Sequence, residues 1–174
     1  MPILGQIIQA TLGCLYMRTA LIFSGTSIEN PEALSCVLGF LKKFLLLISA
    51  NRPTDGESVK PSHESAQLAR ERTTSEFGYP ILNTLLNGLL SNFPRDRDVV
   101  REVGKILYVA IDCIPDGSGL LSRCVMELPL SSEDEKRKLC EGIAQASLLQ
   151  DGGDNLKRLL NSFSTSYRRK LLIS

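Results

Sequence analysis

Chemistry in this chain would have to come from a short set of residues. The groups able to bind a metal or move a proton are one histidine, His63, five cysteines at 14, 36, 113, 124 and 140, and the acid run Glu133-Asp134-Glu135. Zinc takes clustered Cys and His ligands at short spacing, and no Cys-x-x-Cys pair occurs. An odd number of widely spaced thiols inside apolar stripes reads instead as reduced, buried cysteines of an intracellular protein. A general base must keep hydrogen-bond geometry with its nucleophile, and His63 falls in a polar stretch with too little apolar content to hold it. Asp112 beside Cys113 reads as a helix-end acid next to a core thiol. The acids at 133, 134 and 135 read as a helix-start cluster, favoured there by the dipole, and not as a separated acid/base pair. Gly117-Ser118-Gly119 lacks the lysine and the preceding strand of a phosphate-binding loop, and no Gly-x-Ser-x-Gly elbow occurs. The expectation is a protein that is not an enzyme and takes no cofactor and no metal.

Composition narrows the class further. The chain has 174 residues, 43% hydrophobic and only 6% aromatic, with no Trp and with Leu leading the apolar set. That balance suits helix-on-helix packing, where unbranched side chains lose little rotamer freedom. The formal charge of +1 gives no overall field toward nucleic acid or anionic lipid. The start, Met1-Pro2-Ile3-Leu4, has no basic region of a secretory signal. Ile3–Phe23 is long enough to cross a bilayer, but it carries Gln6, Gln9, Thr11, Arg18 and Thr19, and an intramembrane Arg costs about 2.5 kcal/mol or more. Buried helices of a protein without membrane insertion are the expectation.

Hydrophobic spacing places about seven helices. Pro2 is tolerated in a first turn, and the first helix runs from Ile3 to about Phe23, stopped by Ser24-Gly25-Thr26. Asn30-Pro31 is a cap followed by a first-turn proline. It opens a helix to about Ser49 with Leu34, Leu38, Leu41, Leu45 and Ile48 on one stripe and Val37 beside it. Lys42-Lys43 falls on the opposite, solvated side. Residues 51–76 are rich in polar and charged side chains and contain Pro53 and Pro61. Such a stretch buries too little to offset its ordering entropy, so it reads as a flexible insertion, with a transient helix at most over Ser62–Arg72. Its Ser/Thr density also marks it as a possible phosphorylation target. Order resumes at Phe77-Gly78-Tyr79-Pro80 with a helix to about Asn92, striped by Leu82, Leu85, Leu86, Leu89 and Leu90. Pro94 ends it, and Asp96 caps the next, which reaches about Cys113 and turns Val99, Val103, Ile106, Leu107, Ala110 and Ile114 inward.

A shorter helix follows over about Gly119–Glu127, ended by Pro129. Ser132 with Glu135 forms a capping box for a helix to about Leu149, with Leu139, Ile143, Ala146 and Leu149 inward. Gly152-Gly153 breaks it, and Asp154 caps a last helix through Leu156, Leu159, Leu160, Phe163 and Tyr167 to about Leu172. Its end, Arg168-Arg169-Lys170, suits the negative pole of that helix. Helices that open a pair start near Asn30, Asp96 and Ser132, a first interval of ~40 residues once the insertion is discounted and a second of about 36, as in HEAT-like arrays. The fold class is therefore all-α: residues 1–50 hold the first helices, 51–76 the insertion, and 77–174 the hairpin repeats with a basic final helix. Solenoids of this kind leave long surfaces free for recognition. Arg123, Lys157, Arg158 and Arg168 are the candidate contacts to an acidic partner protein, against the plainer reading of solvated helix faces.

The order of these segments resembles the carboxy-terminal HEAT repeats of the importin-beta (karyopherin) superfamily, in the branch that contains importin-13 and transportin-3. The similar pieces are Asn30-Pro31-Glu32-Ala33-Leu34-Ser35-Cys36 running into Gly39-Phe40, then Gly78–Leu90, Val103–Ala110 and Ser118–Glu127. Leu130-Ser131-Ser132-Glu133 and the close from Leu156-Lys157 through Phe163-Ser164 to Tyr167-Arg168-Arg169 complete the series, which covers about residues 20 to 170. The insertion is longer than the family pattern. The resemblance implies part of a nuclear transport receptor that grips cargo protein on an inner surface and shuttles between nucleus and cytoplasm. Ran GTPase and nucleoporins would be partners of the full-length receptor, since the Ran-binding repeats are absent here. A helical-repeat adaptor without a transport role is the alternative reading.

Overall fold

A computed structural model describes residues 3, 5–13, 31–49, 63–93, 97–148 and 152–173. Among these the chain is all-helical, with no strand. The helices are α1 (residues 5–13), α2 (Pro31–Ile48), α3 (His63–Asn87), α4 (Arg97–Cys113), α5 (Gly117–Met126), α6 (Glu133–Leu148) and α7 (Gly152–Leu171). The expected stop at Ser24, the caps at Asn30 and Asp96, and Leu149 lie outside the described residues.

The leucine stripes fix the packing. Leu34, Leu38, Leu41, Leu45 and Ile48 of α2 are buried against Val103, Ile106, Leu107 and Ala110 of α4, with Leu82, Leu85 and Leu86 of α3, and Leu89 and Leu90 just beyond it, in the same core. Each such side chain contributes roughly 1.5–3 kcal/mol when fully removed from water. Cys113 joins three helices at this seam. Its thiol donates to the Leu45 carbonyl at 3.3 Å, and its own carbonyl accepts from Arg70 Nε at 3.1 Å.

The helices lie in two layers. α2 packs on α4 and α4 on α7 in one; α3 packs on α5 and α5 on α6 in the other. This is the helix-pair stacking of a helical-repeat segment, with one departure. In a strictly repeating array α6 would follow α4 and α7 would follow α5. Here the last pair is reversed, so that α7 returns against α4 and the end of α3. Two glycines allow the close approach of α7 to α4. A Cβ on Gly104 would stand 2.8 Å from Lys157 Cγ, and one on Gly153 3.3 Å from the Tyr108 ring.

Two expectations are corrected along the chain. The polar stretch to Glu76 is helical from His63 onward, and α3 carries Pro80 inside it. Residues 51–62 of that stretch lie outside the described part. The added turns gain from tertiary contact: Thr73 is 1% exposed, Ala69 and Phe77 pack on the core, and Arg70 reaches Cys113. Pairs at i and i+4, Gln67 with Glu71 and Arg72 with Glu76, support the outer face. These contacts, with Ile81 and Leu82 fully buried, outweigh the hydrogen bond that Pro80 forfeits. At the other end the expected break is present, but it comes after Leu148, and Gly152-Gly153 already belong to α7. Both lie in the first turn of α7, so Asp154 is inside the helix and pairs with Lys157 instead of capping it.

The connections follow local chemistry. α3 widens into a π-helical turn over Gly88–Asn92, where the Phe93 N–H donates to the Gly88 carbonyl at 2.7 Å. The Phe93 ring folds back over Gly88, in space that a Cβ would occupy. Between α4 and α5, Asp116 takes a left-handed conformation (φ 53°) and its carbonyl accepts from Leu120 N–H at 2.9 Å. Gly117 passes so close to α4 that a Cβ would sit 2.5 Å from the Ile111 carbonyl oxygen. Ser132 and Glu135 form the expected reciprocal capping box: Ser132 N–H donates to Glu135 Oε2 at 2.9 Å, and Glu135 N–H to Ser132 Oγ at 3.3 Å.

Candidate functional site

The four basic residues singled out from sequence do not form one surface. Arg123, on α5, lies in the layer of α3 and α6, while Lys157, Arg158 and Arg168 lie on α7 in the layer of α4. The structure brings Arg123 to Tyr79 and Glu127 instead. Its guanidinium lies 5.4 Å from the centroid of the Tyr79 ring, its Nε donates to Glu127 Oε1 at 3.4 Å, and the Tyr79 hydroxyl donates to the same carboxylate. That bond to Glu127, then burial, pushes the Tyr79 hydroxyl up to about 12. Arg123 stays largely exposed, so its remaining donors face solvent across the α3–α5 seam.

Lys157 is half-buried. Its stem packs on Gly104 of α4, and its ammonium pairs with Asp154, which holds that carboxyl below the usual range. Arg158, one residue on, is exposed.

Arg168 departs most from the expectation of an exposed contact. It is only 9% exposed. Its Nε donates to the Leu89 and Leu90 carbonyls at 3.1 Å, and Nη2 donates to Phe93 at 3.0 Å and to Leu89. The guanidinium therefore caps the carbonyl end of α3 at the π turn, 75 to 79 residues away in sequence. It serves the negative pole of a different helix from its own. Lys136 does the same for α5: its ammonium donates to the Met126 carbonyl and to Glu133, both at 3.0 Å.

Other groups also have structural work. Lys42, expected on a solvated face, donates to Glu102 Oε1 at 2.6 Å and bridges α2 to α4. Burial pushes Glu102 up, but Lys42 and Lys105 outweigh it and leave the carboxyl below its ordinary value. Lys170 and Ser132 pull Glu135 down to about 2. Cys113 and Cys124 are buried as expected, and burial pushes the Cys124 thiol up to about 11, so it stays protonated and unreactive. Cys36 is exposed, against the expectation that the thiols are buried. His63 opens α3. Among the described residues no three His, Cys, Asp or Glu side chains cluster as metal ligands, and no helix is long and apolar enough to cross a membrane.

Two surfaces escaped the sequence reading. A groove of about 340 Å³ runs between α4 and the end of α7, lined by Val100, Asn161, Ser164, Thr165, Arg169 and Leu172, with Arg168 at its floor. Its existence depends on the reversed last pair, for which no local signal exists. The second is the outer stripe of α2, whose Cys36, Phe40 and Leu47 are exposed. The 4-3-4 spacing of 36, 40, 43 and 47, opposite the buried stripe, was the available signal.

No family model, curated protein or solved structure matches the chain.

Proposed function

We propose that the chain is a non-enzymatic protein-recognition segment, part of a nuclear transport receptor that binds cargo protein and moves between nucleus and cytoplasm. The observation that carries the recognition reading is the stacking of helix pairs in two layers over one continuous core. Such arrays spend their outer faces on partners, because each helix is satisfied by its neighbours. The transport reading rests on the resemblance of segment order to importin-beta repeats. In this reading Arg123 and Arg158, exposed on different layers, are the basic side chains left to meet an acidic cargo, while Arg168 is withdrawn from that role by its burial. Ran and nucleoporins belong to this reading as partners of the full-length receptor.

The reversed last pair favours a second reading, a helical-repeat adaptor without a transport role. α7 turns back onto α4 and the end of α3, which departs from the repeating order of a receptor array. One experiment separates the two. The protein is depleted acutely in its own cells, and nuclear and cytosolic proteomes are compared with the set captured by the purified chain. A transport receptor predicts that captured proteins change compartment on depletion, and that Arg123→Glu with Arg158→Glu reduces their capture. An adaptor predicts captured proteins whose partition stays unchanged.

A further inference from the structure

The two flanks of the first layer differ in chemistry. At one side, α7 turns Asn155, Arg158, Asn161, Thr165 and Arg169 to solvent, a polar face. At the other side, α2 shows a second stripe opposite its buried one. Phe40 is 45% exposed, Leu47 43% exposed, and Cys36 is exposed with them. Phe44 stacks on Phe40 with ring centroids 6.4 Å apart. Gly39 leaves a notch beside this stripe, since a Cβ there would meet nothing within 4 Å.

Positions 36, 40, 43 and 47 follow the 4-3-4 spacing of a helix seam, on which a neighbouring helix lies at about 20° to the axis. Lys43 occupies the one polar position of that seam. Its neighbour Lys42 is taken by Glu102, whereas among the described residues Lys43 has no ion-pair partner. A lysine at the polar position of an apolar seam selects a helix that brings a carboxylate to it, and disfavours one that does not.

We infer that the outer stripe of α2 docks an amphipathic helix of a partner protein, with aliphatic side chains on Cys36, Phe40 and Leu47 and an acidic residue against Lys43. A second copy of the chain satisfies this poorly. The only acid in α2 is Glu32, in its first turn. An antiparallel symmetric pairing that sets Glu32 across from Lys43 carries Leu47 past the start of the other helix, so charge and apolar area cannot both be matched. The inference holds whether or not the chain acts in transport.

The test uses the full chain and two labelled helical peptides of ~21 residues (three heptads) with a leucine stripe, differing only in Glu or Lys at the central seam position. By fluorescence anisotropy the Glu peptide should bind at least about 10-fold more tightly than the Lys peptide, the equivalent of about 1.4 kcal/mol. Lys43→Glu should reverse that preference with unchanged helicity, and Phe40→Glu should abolish binding of both. Sedimentation of the chain alone should show a monomer. Equal binding of the two peptides, or a preference that Lys43→Glu leaves in place, overturns the inference. So does a dimer that Phe40→Glu dissociates, which would assign the stripe to a second copy. Absence of peptide binding, with maleimide labelling at Cys36 blocked relative to a Cys36→Ser control, would assign the stripe to the chain's own residues 14–30 and equally overturn it.

Discussion

Replacing Arg168 with Met separates a structural residue from a contact residue. The side chain is 9% exposed and donates to three carbonyls, those of Leu89, Leu90 and Phe93. The Leu89 carbonyl has no replacement along its own helix. The Phe93 N–H is already given to Gly88, and residue 94 is a proline without an N–H. Methionine fills a similar volume but donates nothing. A net hydrogen bond to a charged donor is worth about 1.5–3 kcal/mol, and an orphaned carbonyl costs about 1–3 kcal/mol. Because Arg168 also lines the open α4–α7 groove, water can reach part of the site and reduce the loss, and we expect about 3–4 kcal/mol in total. For a chain of this size that lowers the melting temperature by about 10 °C. Arg168→Lys keeps the charge but not the planar fork, so it should fall between the two. Urea unfolding followed by circular dichroism reads the difference as a lower midpoint with an unchanged slope. A Met variant within about 0.5 kcal/mol of the parent would refute the capping role and return Arg168 to the surface.

Further outcomes follow from the same geometry. Gly117→Ala should destabilise by about 2 kcal/mol because its Cβ meets the Ile111 backbone, whereas Gly142→Ala should be neutral or stabilising, since only the movable end of Leu159 stands in its way; thermal melts of the two variants check this contrast. Asp116→Val should lose about 1–2 kcal/mol, because a β-branched residue is strained at φ 53°, again read by melting. Glu135 has a lowered pKa in the folded chain, about 2, so its contribution is present above the unfolded value and lost as pH falls toward 2. Glu135→Gln should accordingly be less stable by about 1 kcal/mol at pH 7, a surface cap discounted for screening, with the gap closing between pH 4.5 and 2 in urea titrations. A gap that persists at pH 2 would contradict the assignment.

Much of the fold is local enough to be read from residue spacing. The stripes through Leu34–Ile48, Leu82–Leu90 and Val99–Ile114 are buried as their 3.6-residue period requires, and the Ser132–Glu135 capping box forms as written. What escaped depends on distant partners. The turns of α3 before Phe77 look polar by themselves, and their support comes from Cys113, 43 residues away. Arg168 reads as a helix-end cation until its partners near Leu89 are known. The reversed last pair leaves no mark either, because short connections around Pro129 and Gly152 allow both orders. Of the candidate contacts, Arg123 and Arg158 are exposed where the sequence put them, but on different layers. That separation arises from topology, which side-chain type cannot report.

The layered packing carries the recognition account and the return of α7 onto α4 separates its two readings, and proton–proton contacts in a labelled sample test that packing most directly. The account predicts contacts from the Gly153 α-protons to the Tyr108 ring and from the Gly104 α-protons to the Lys157 side chain. If both are missing, and α7 shows contacts to the buried Leu121 and Val125 of α5 in their place, the last pair is stacked in the repeating order, and the reversed packing and the adaptor reading drawn from it are wrong.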